Sequence, residues 1–163
     1  MINPNIIQHH FFVPNDKKLT LHPEAMPAYE AWQQFQPQHS SVNLSSIYKY
    51  YKPIVRLVPH AKDHFIYFDS FERMSQILNN EAYSSQPFMV IGDDEAQVTT
   101  MAWAEVLKLS FYRGVSHQSL WQHLQAHCPN SILKALMNSV SDKLSVEDYC
   151  NFAGIDRDSY ESS

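Results

Sequence analysis

The sequence predicts an α+β fold in which a small, mostly antiparallel sheet is packed with a C-terminal set of about five short helices. Runs rich in β-branched and aromatic residues cluster before residue 92, whereas apolar residues at helical spacing dominate after it. Only three glycines occur in the 163 residues, which disfavours a β-sandwich built from many hairpins. A chain of this length fits one ordinary domain, so we expect a single domain over residues 1–163.

The N-terminal portion, residues 1–43, is expected to be irregular because five prolines interrupt its apolar pieces. Ile6–Val13 and Lys18–His22 are predicted strands, joined across a turn at residues 14–16. A short helix is expected in "PEAMPAYEAWQQF", and a polar loop follows it.

The sheet portion, residues 44–92, contains the clearest strand patterns. The runs "IVRLVPH" and "HFIYFDS" are separated by a short polar turn and predict a hairpin at about residues 54–68. The segment "DSFERMSQILNN" has apolar residues at helical spacing, and "PFMVIGD" predicts a buried strand at about residues 87–92. This order predicts a sheet with a helix on one face.

The helical portion, residues 93–163, opens with a predicted long helix from Asp94 to Arg113. Acids stand in its first turn and a glycine follows its last residue, the order that a helix dipole favours. Apolar residues cover most of its circumference, so the helix belongs in the core or at an interface. Trp103 and Glu105 on this helix are candidate interaction residues. Further short helices are expected after it.

The stretch "LSVEDYCNFAGIDRDSY", Leu144–Tyr160, resembles a helix-turn-helix element. Cys150, Ala153 and Gly154 stand where that pattern has its small residue, apolar residue and turn glycine. The resemblance implies DNA reading by the second helix, with Arg157 as the candidate contact. Three acids accompany Arg157, and acids oppose phosphate contact. The sequence therefore favours a packing element over a DNA reader.

A second candidate for nucleic-acid binding is "IYKYYKPIVR", where tyrosines alternate with basic residues. Tyrosine faces beside cations can bind single strands by stacking and charge. The alternatives are a loop that leads into a strand, or a surface that receives the acidic C-terminal stretch of the same chain or of a partner. The candidate interaction residues here are Tyr48, Lys49, Tyr50, Tyr51, Lys52 and Arg56.

Nine histidines raise the question of a metal or enzyme site. His123 and His127 stand four apart on one predicted helix, as metal sites require, but the glutamate of HExxH is absent. His60 and His64 flank a predicted turn and can approach each other. No nucleophile motif or phosphate-binding loop accompanies either pair. We therefore assign no catalytic, cofactor-binding or metal-ligating residue, and expect neither a cofactor nor bound zinc.

Composition bounds the function further. Charged residues make up 18% of the chain, below the roughly 25% of average domains, so we expect a partner to cover part of the surface. The net charge of −5 argues against broad nucleic-acid affinity. The chain shows no signal-peptide pattern, no bilayer-length apolar run and no CxxC pair, which predicts a reduced, cytoplasmic protein without a membrane partner.

These observations predict a non-enzymatic regulatory or adaptor protein of a bacterial type that acts by protein–protein interaction. A homodimer is expected, because it is the commonest closed oligomer. The first alternative is a nucleic-acid-associated transcriptional regulator with a helix-turn-helix-like C-terminal element, although DNA is the less favoured partner. The second alternative is a small enzyme or metal protein that uses one of the two histidine pairs.

Overall fold

The structure is a computed structural model that describes residues 10–12, 17–37, 53–79 and 86–163. The chain divides into two compact units. The first comprises Met1–Glu24 and Ser40–Val98, and the second comprises Ala25–His39 and Thr99–Ser163. The single domain expected from the sequence stays a prediction, because two compact units can also belong to one domain.

The first unit contains a sheet that, within the described residues, has five strands in the order β1-β5-β3-β4-β2. The β3–β4 hairpin and the β1–β5 pair are antiparallel, whereas β2 pairs parallel with β4 and β5 pairs parallel with β3. The prediction of a mostly antiparallel sheet is therefore wrong, and the sheet is mixed. The strands are β1 (His10–Phe12), β2 (Lys18–Leu21), β3 (Val55–Ala61), β4 (His64–Tyr67) and β5 (Phe88–Val90).

The predicted hairpin at residues 54–68 and the strand at 87–92 are present as β3, β4 and β5. The two N-terminal strands also form but do not pair with each other, and the turn predicted between them at residues 14–16 lies outside the described residues. They lie at opposite edges of the sheet, because β1 pairs with β5 and β2 pairs with β4. Each partner is a strand far along the chain, and a local turn pattern carries no information about such long-range pairing.

Alternating and helical spacing of apolar residues explains the core of the first unit. On β3, Val55 and Leu57 are fully buried, as the two-residue period of a strand requires. Helix α2 (Phe71–Asn79) buries Phe71 and Met74, which are three residues apart and therefore lie on one face. This unit also contains helix α3 (Asp93–Ala96).

The second unit is helical in the part of the chain that the structure describes. Its core includes large side chains that are almost completely buried, among them Trp103, Leu120, Trp121, Leu124 and Tyr149. The elements are α1 (Met26–Phe35), α4 (Val98–Leu107, which starts at the boundary between the units), a 3-10 helix (Lys108–Phe111), α5 (His117–His127), α6 (Asn130–Leu136), α7 (Val146–Ala153) and α8 (Arg157–Glu161).

The prediction of one continuous helix from Asp94 to Arg113 is wrong. Gln97 adopts a left-handed conformation, with φ 44° and ψ 48°, and this conformation ends α3 before α4 begins. After Leu107 the chain tightens into the 3-10 helix, which ends at Phe111. No helix among the described residues is long and apolar enough to cross a bilayer.

Candidate protein-interaction surface

The α7–turn–α8 element is shaped by three caps that the sequence supplies. The Ser145 hydroxyl accepts a hydrogen bond from the Asp148 backbone N–H at 3.2 Å, and the Asp148 carboxylate accepts one from the Ser145 backbone N–H at 2.7 Å. This reciprocal arrangement is a capping box. Gly154 ends α7 in the left-handed region, and the Asp156 carboxylate caps α8 by accepting from the Ser159 backbone N–H at 2.7 Å. The helix-turn-helix-like outline predicted from the sequence is therefore present.

The same element packs its apolar side inwards. Tyr149 and Cys150 of α7 and Tyr160 of α8 are buried. The Tyr149 hydroxyl lies 2.9 Å from Nδ1 of His117, and its ring stacks on Trp121 with centroids 4.9 Å apart. Burial of the imidazole lowers the pKa of His117, so a neutral ring shares this hydrogen bond at neutral pH.

The outer side of α8 offers little to DNA. This helix is only five residues long, and its one cation, Arg157, is paired with Glu161 at 2.6 Å. The Arg157 guanidinium also lies over the Tyr160 ring, 5.6 Å from its centroid. The exposed acids Asp156 and Asp158 stand on either side of it in the chain. The helix therefore presents carboxylates where a reader of DNA presents donors.

An aromatic pair, the exposed Phe111 and the half-buried Phe152, lies at the surface of the second unit. Their ring centroids are 5.2 Å apart and the rings are tilted by 42°. Phe111 is 59% exposed although it is one of the largest apolar side chains, and Phe152 is half-buried beneath it. Aromatic side chains contribute strongly to the binding energy of many protein interfaces.

The backbone holds Phe111 in place. The Tyr112 N–H donates to the Leu109 carbonyl at 2.9 Å, and the buried Ser110 hydroxyl donates to the Leu107 carbonyl at 2.7 Å. Both hydrogen bonds stabilise the end of the 3-10 helix that carries the ring. The backbone that carries the Phe111 ring is thus ordered by hydrogen bonds.

Sequence reasoning did not find this pair. Phe111 belongs to the predicted long helix, whose all-round apolar character obscured which side chain is exposed. Phe152 lies outside the apolar stripe formed by Val146, Tyr149 and Cys150 on α7. A phenylalanine outside this stripe is the sequence signal that could have indicated an aromatic side chain at the surface.

The two candidate residues on α4 are mostly withdrawn from solvent. Trp103 is 2% exposed and belongs to the core of the second unit. Glu105 has a side chain that is 16% exposed, and its carboxylate accepts a hydrogen bond from the Lys108 ammonium at 3.2 Å. Trp103 is therefore a core residue, and a partner cannot contact it directly in this conformation.

Arg56 lies in the first unit, on β3. Its guanidinium forms an ion pair with the buried carboxylate of Asp69 and lies 5.6 Å from the centroid of the Phe68 ring. These contacts engage it within its own unit. The other basic and aromatic candidates of this stretch, Tyr48, Lys49, Tyr50, Tyr51 and Lys52, lie outside the described residues.

The first histidine pair is brought together across the β3–β4 hairpin. The rings of His60 and His64 are 4.6 Å apart, and Nε2 of His64 lies 2.8 Å from the Thr20 hydroxyl. Burial first, and then the charges of His60 and Lys18, lower the pKa of His64. The nearby carboxylate of Asp63 is paired with Lys17. Thr20 was not among the residues that the sequence suggested.

The second pair, His123 and His127, has ring centroids 4.3 Å apart on α5. Over the residues that the structure describes, no group of three or more His, Cys, Asp or Glu side chains is placed to hold a metal ion. Both cysteines are buried, and burial raises the pKa of Cys128 to about 12 and also raises that of Cys150. The thiols are therefore protonated at neutral pH and are poor nucleophiles.

Compared with known proteins, the chain matches no family model, no curated protein and no solved structure.

Proposed function

We propose that the chain is a non-enzymatic regulatory or adaptor protein that acts by binding protein, and that its first partner is a second copy of itself. The observation that supports this proposal is the aromatic pair, in which the exposed ring of Phe111 packs against the half-buried ring of Phe152. Aromatic side chains that form a cluster on a surface are typical anchors of protein interfaces.

The charges around the aromatic pair favour a second copy as the occupant. Arg113 is exposed and follows Phe111 by two residues, whereas Asp148 precedes Phe152 by one helical turn and lies on the same face of α7. In a two-fold contact, the Phe111 side of one molecule meets the Phe152 side of the other. Such a contact brings each Arg113 towards the half-buried Asp148 of the partner molecule, whose carboxylate also accepts the hydrogen bonds of the capping box, so the two residues are of opposite charge.

Two further observations support a binding role. The low charged fraction of 18% fits a surface that is partly covered in the working state. Protonated, buried thiols and the lack of a three-ligand metal cluster in the described part of the chain offer no support to an enzyme. The helix-turn-helix-like outline of α7 and α8 keeps a DNA-associated regulator as the alternative, and we retain a cytoplasmic location as part of the proposal.

Sedimentation equilibrium at micromolar concentrations tests the proposal. We expect a dimer for the wild type and a monomer for Phe111→Ser and Phe152→Ser, because each substitution removes an aromatic anchor. Val140→Ser is the matched control, since Val140 is 98% exposed in a loop of the same unit and should leave the dimer unchanged. A wild-type monomer, or a dimer that survives both phenylalanine substitutions, would contradict self-association through this surface.

A further inference from the structure

His123 and His127 lie one turn apart at the end of α5, and the spacing of their rings is that of a metal chelate. The ring centroids are 4.3 Å apart and the planes are inclined by 38°. Two imidazoles bound in adjacent positions to one ion, with metal–nitrogen distances near 2.1 Å, place their centroids about 4.5 Å apart. The centroid spacing of the two rings is therefore close to that of two imidazoles bound to one ion.

One ring is oriented by packing and the other faces solvent. Phe35 of α1 contacts the His123 ring edge-on, with centroids 5.3 Å apart. His127 is exposed and can be reached by an ion from solution. A fixed first ligand and an accessible second ligand lower the entropic cost of binding.

The imidazole nitrogens are available as ligands. Neither ring has a hydrogen-bond partner within the part of the chain that the structure describes. A neutral imidazole offers the lone pair that coordination needs.

The charged groups around this pair differ from those around His60 and His64. His127 is the last residue of α5, where the helix dipole is negative, and α5 contains no lysine or arginine. By contrast, His64 has Lys18 close enough to lower its pKa, and Lys62 lies in the adjoining turn. The two pairs thus have similar ring spacing but different charged neighbours, because lysines and the Lys17–Asp63 ion pair lie near His64, whereas α5 itself carries no lysine or arginine.

We propose that His123 and His127 form a two-imidazole chelate for an exchangeable late first-row divalent cation, with Cu²⁺ bound more tightly than Ni²⁺ or Zn²⁺. Imidazole ligands in adjacent positions suit the tetragonal geometry of Cu²⁺, and Cu²⁺ leads the affinity order of this series. Water completes the coordination. Zinc sites in proteins use at least three protein ligands, so this pair holds zinc more weakly. The site is independent of the proposed self-association.

Titration of the full-length protein with Cu²⁺, followed by calorimetry and electron paramagnetic resonance, tests the site. His9 and His10 are first replaced by alanine, because two adjacent histidines bind copper on their own. We expect a single Cu²⁺ with a two-nitrogen hyperfine pattern. Removal of one ligand of a chelate weakens binding by about tenfold or more, so His123→Ala and His127→Ala should each show that loss. His60→Ala should leave the affinity unchanged.

A variant that preserves composition separates geometry from histidine content. His127→Gln combined with Gln125→His keeps the number of histidines and the charge but moves one ring two residues from His123, onto another face of α5. Both positions are exposed, and circular dichroism checks that the helix persists. We expect the same loss as in His127→Ala. Retained affinity in the exchanged variant, or loss in His60→Ala instead, would overturn the proposal.

Discussion

At the residue scale, Gly154 shows how one backbone angle shapes the C-terminal element. It has φ 69° and ψ 34°, a region that residues with a Cβ rarely adopt. A Cβ at this position would meet no atom within 4 Å, so only the backbone conformation opposes a side chain. We expect Gly154→Ser to lower the free energy of unfolding by about 1 kcal/mol, as measured by urea denaturation.

Gly92 provides the matched control for this substitution. Its φ of −70° and ψ of 151° are ordinary for any residue, and a Cβ there also meets nothing within 4 Å. Serine is a good residue at the start of a helix, the position that Gly92 occupies before α3. Gly92→Ser should therefore change the free energy of unfolding by less than about 0.5 kcal/mol. Equal losses in the two variants would contradict a conformational cause.

At the scale of the element, the capping box at the N-terminus of α7 is expected to stabilise the fold in a pH-dependent way. Hydrogen bonds from the Ser145 backbone and hydroxyl lower the pKa of the Asp148 carboxyl. A group whose pKa is lower in the folded state stabilises that state above its unfolded pKa, about 3.9, and loses this effect as pH falls through the folded value. We expect the difference in unfolding free energy between wild type and Asp148→Ala to be present at pH 6 and to shrink below about pH 4.

Urea unfolding at a series of pH values measures this difference. Asp142→Ala is the control, because Asp142 is an exposed acid in the loop before α7 and should alter stability little at any pH. A difference for Asp148→Ala that stays constant down to pH 3 would show that the carboxylate does not contribute through its charge.

The charges of helix α8 lead to a prediction about DNA binding. Asp156 and Asp158 repel phosphate, and Arg157 is held by Glu161, so duplex binding at low salt should be absent. Electrophoretic mobility shift with the wild type and with Arg157→Ala checks this expectation. Sequence-selective binding that Arg157→Ala removes without loss of fold would establish α7 and α8 as a working helix-turn-helix.

At the scale of the whole molecule, the described residues gather no cluster of three metal ligands. Zinc in proteins is held by three or four side chains, and a pair of imidazoles loses it during purification. Elemental analysis of the purified protein should therefore find well below one zinc per chain. About one zinc per chain, lost on His123→Ala, would reveal a third ligand and contradict the expectation.

The sequence alone determined the features that depend on neighbouring residues. The β3–β4 hairpin, the capping box at Ser145 and the left-handed turn at Gly154 follow from residues only a few positions apart. The spacing of His123 and His127 is equally local, because an α-helix places residues four apart on one face. Features that depend only on neighbouring residues can therefore be predicted before the fold is known.

Only the tertiary structure decided what depends on distant partners. β1 and β2 lie at opposite edges of the sheet because each pairs with a strand that comes much later in the chain, and no local pattern encodes that choice. The break at Gln97 and the exposure of Phe111 were likewise hidden within one continuous apolar segment. The identity of an apolar residue does not specify which neighbours will cover it, so its burial depends on the tertiary packing. The same packing determines that Phe111 is left at the surface on which the proposed function depends.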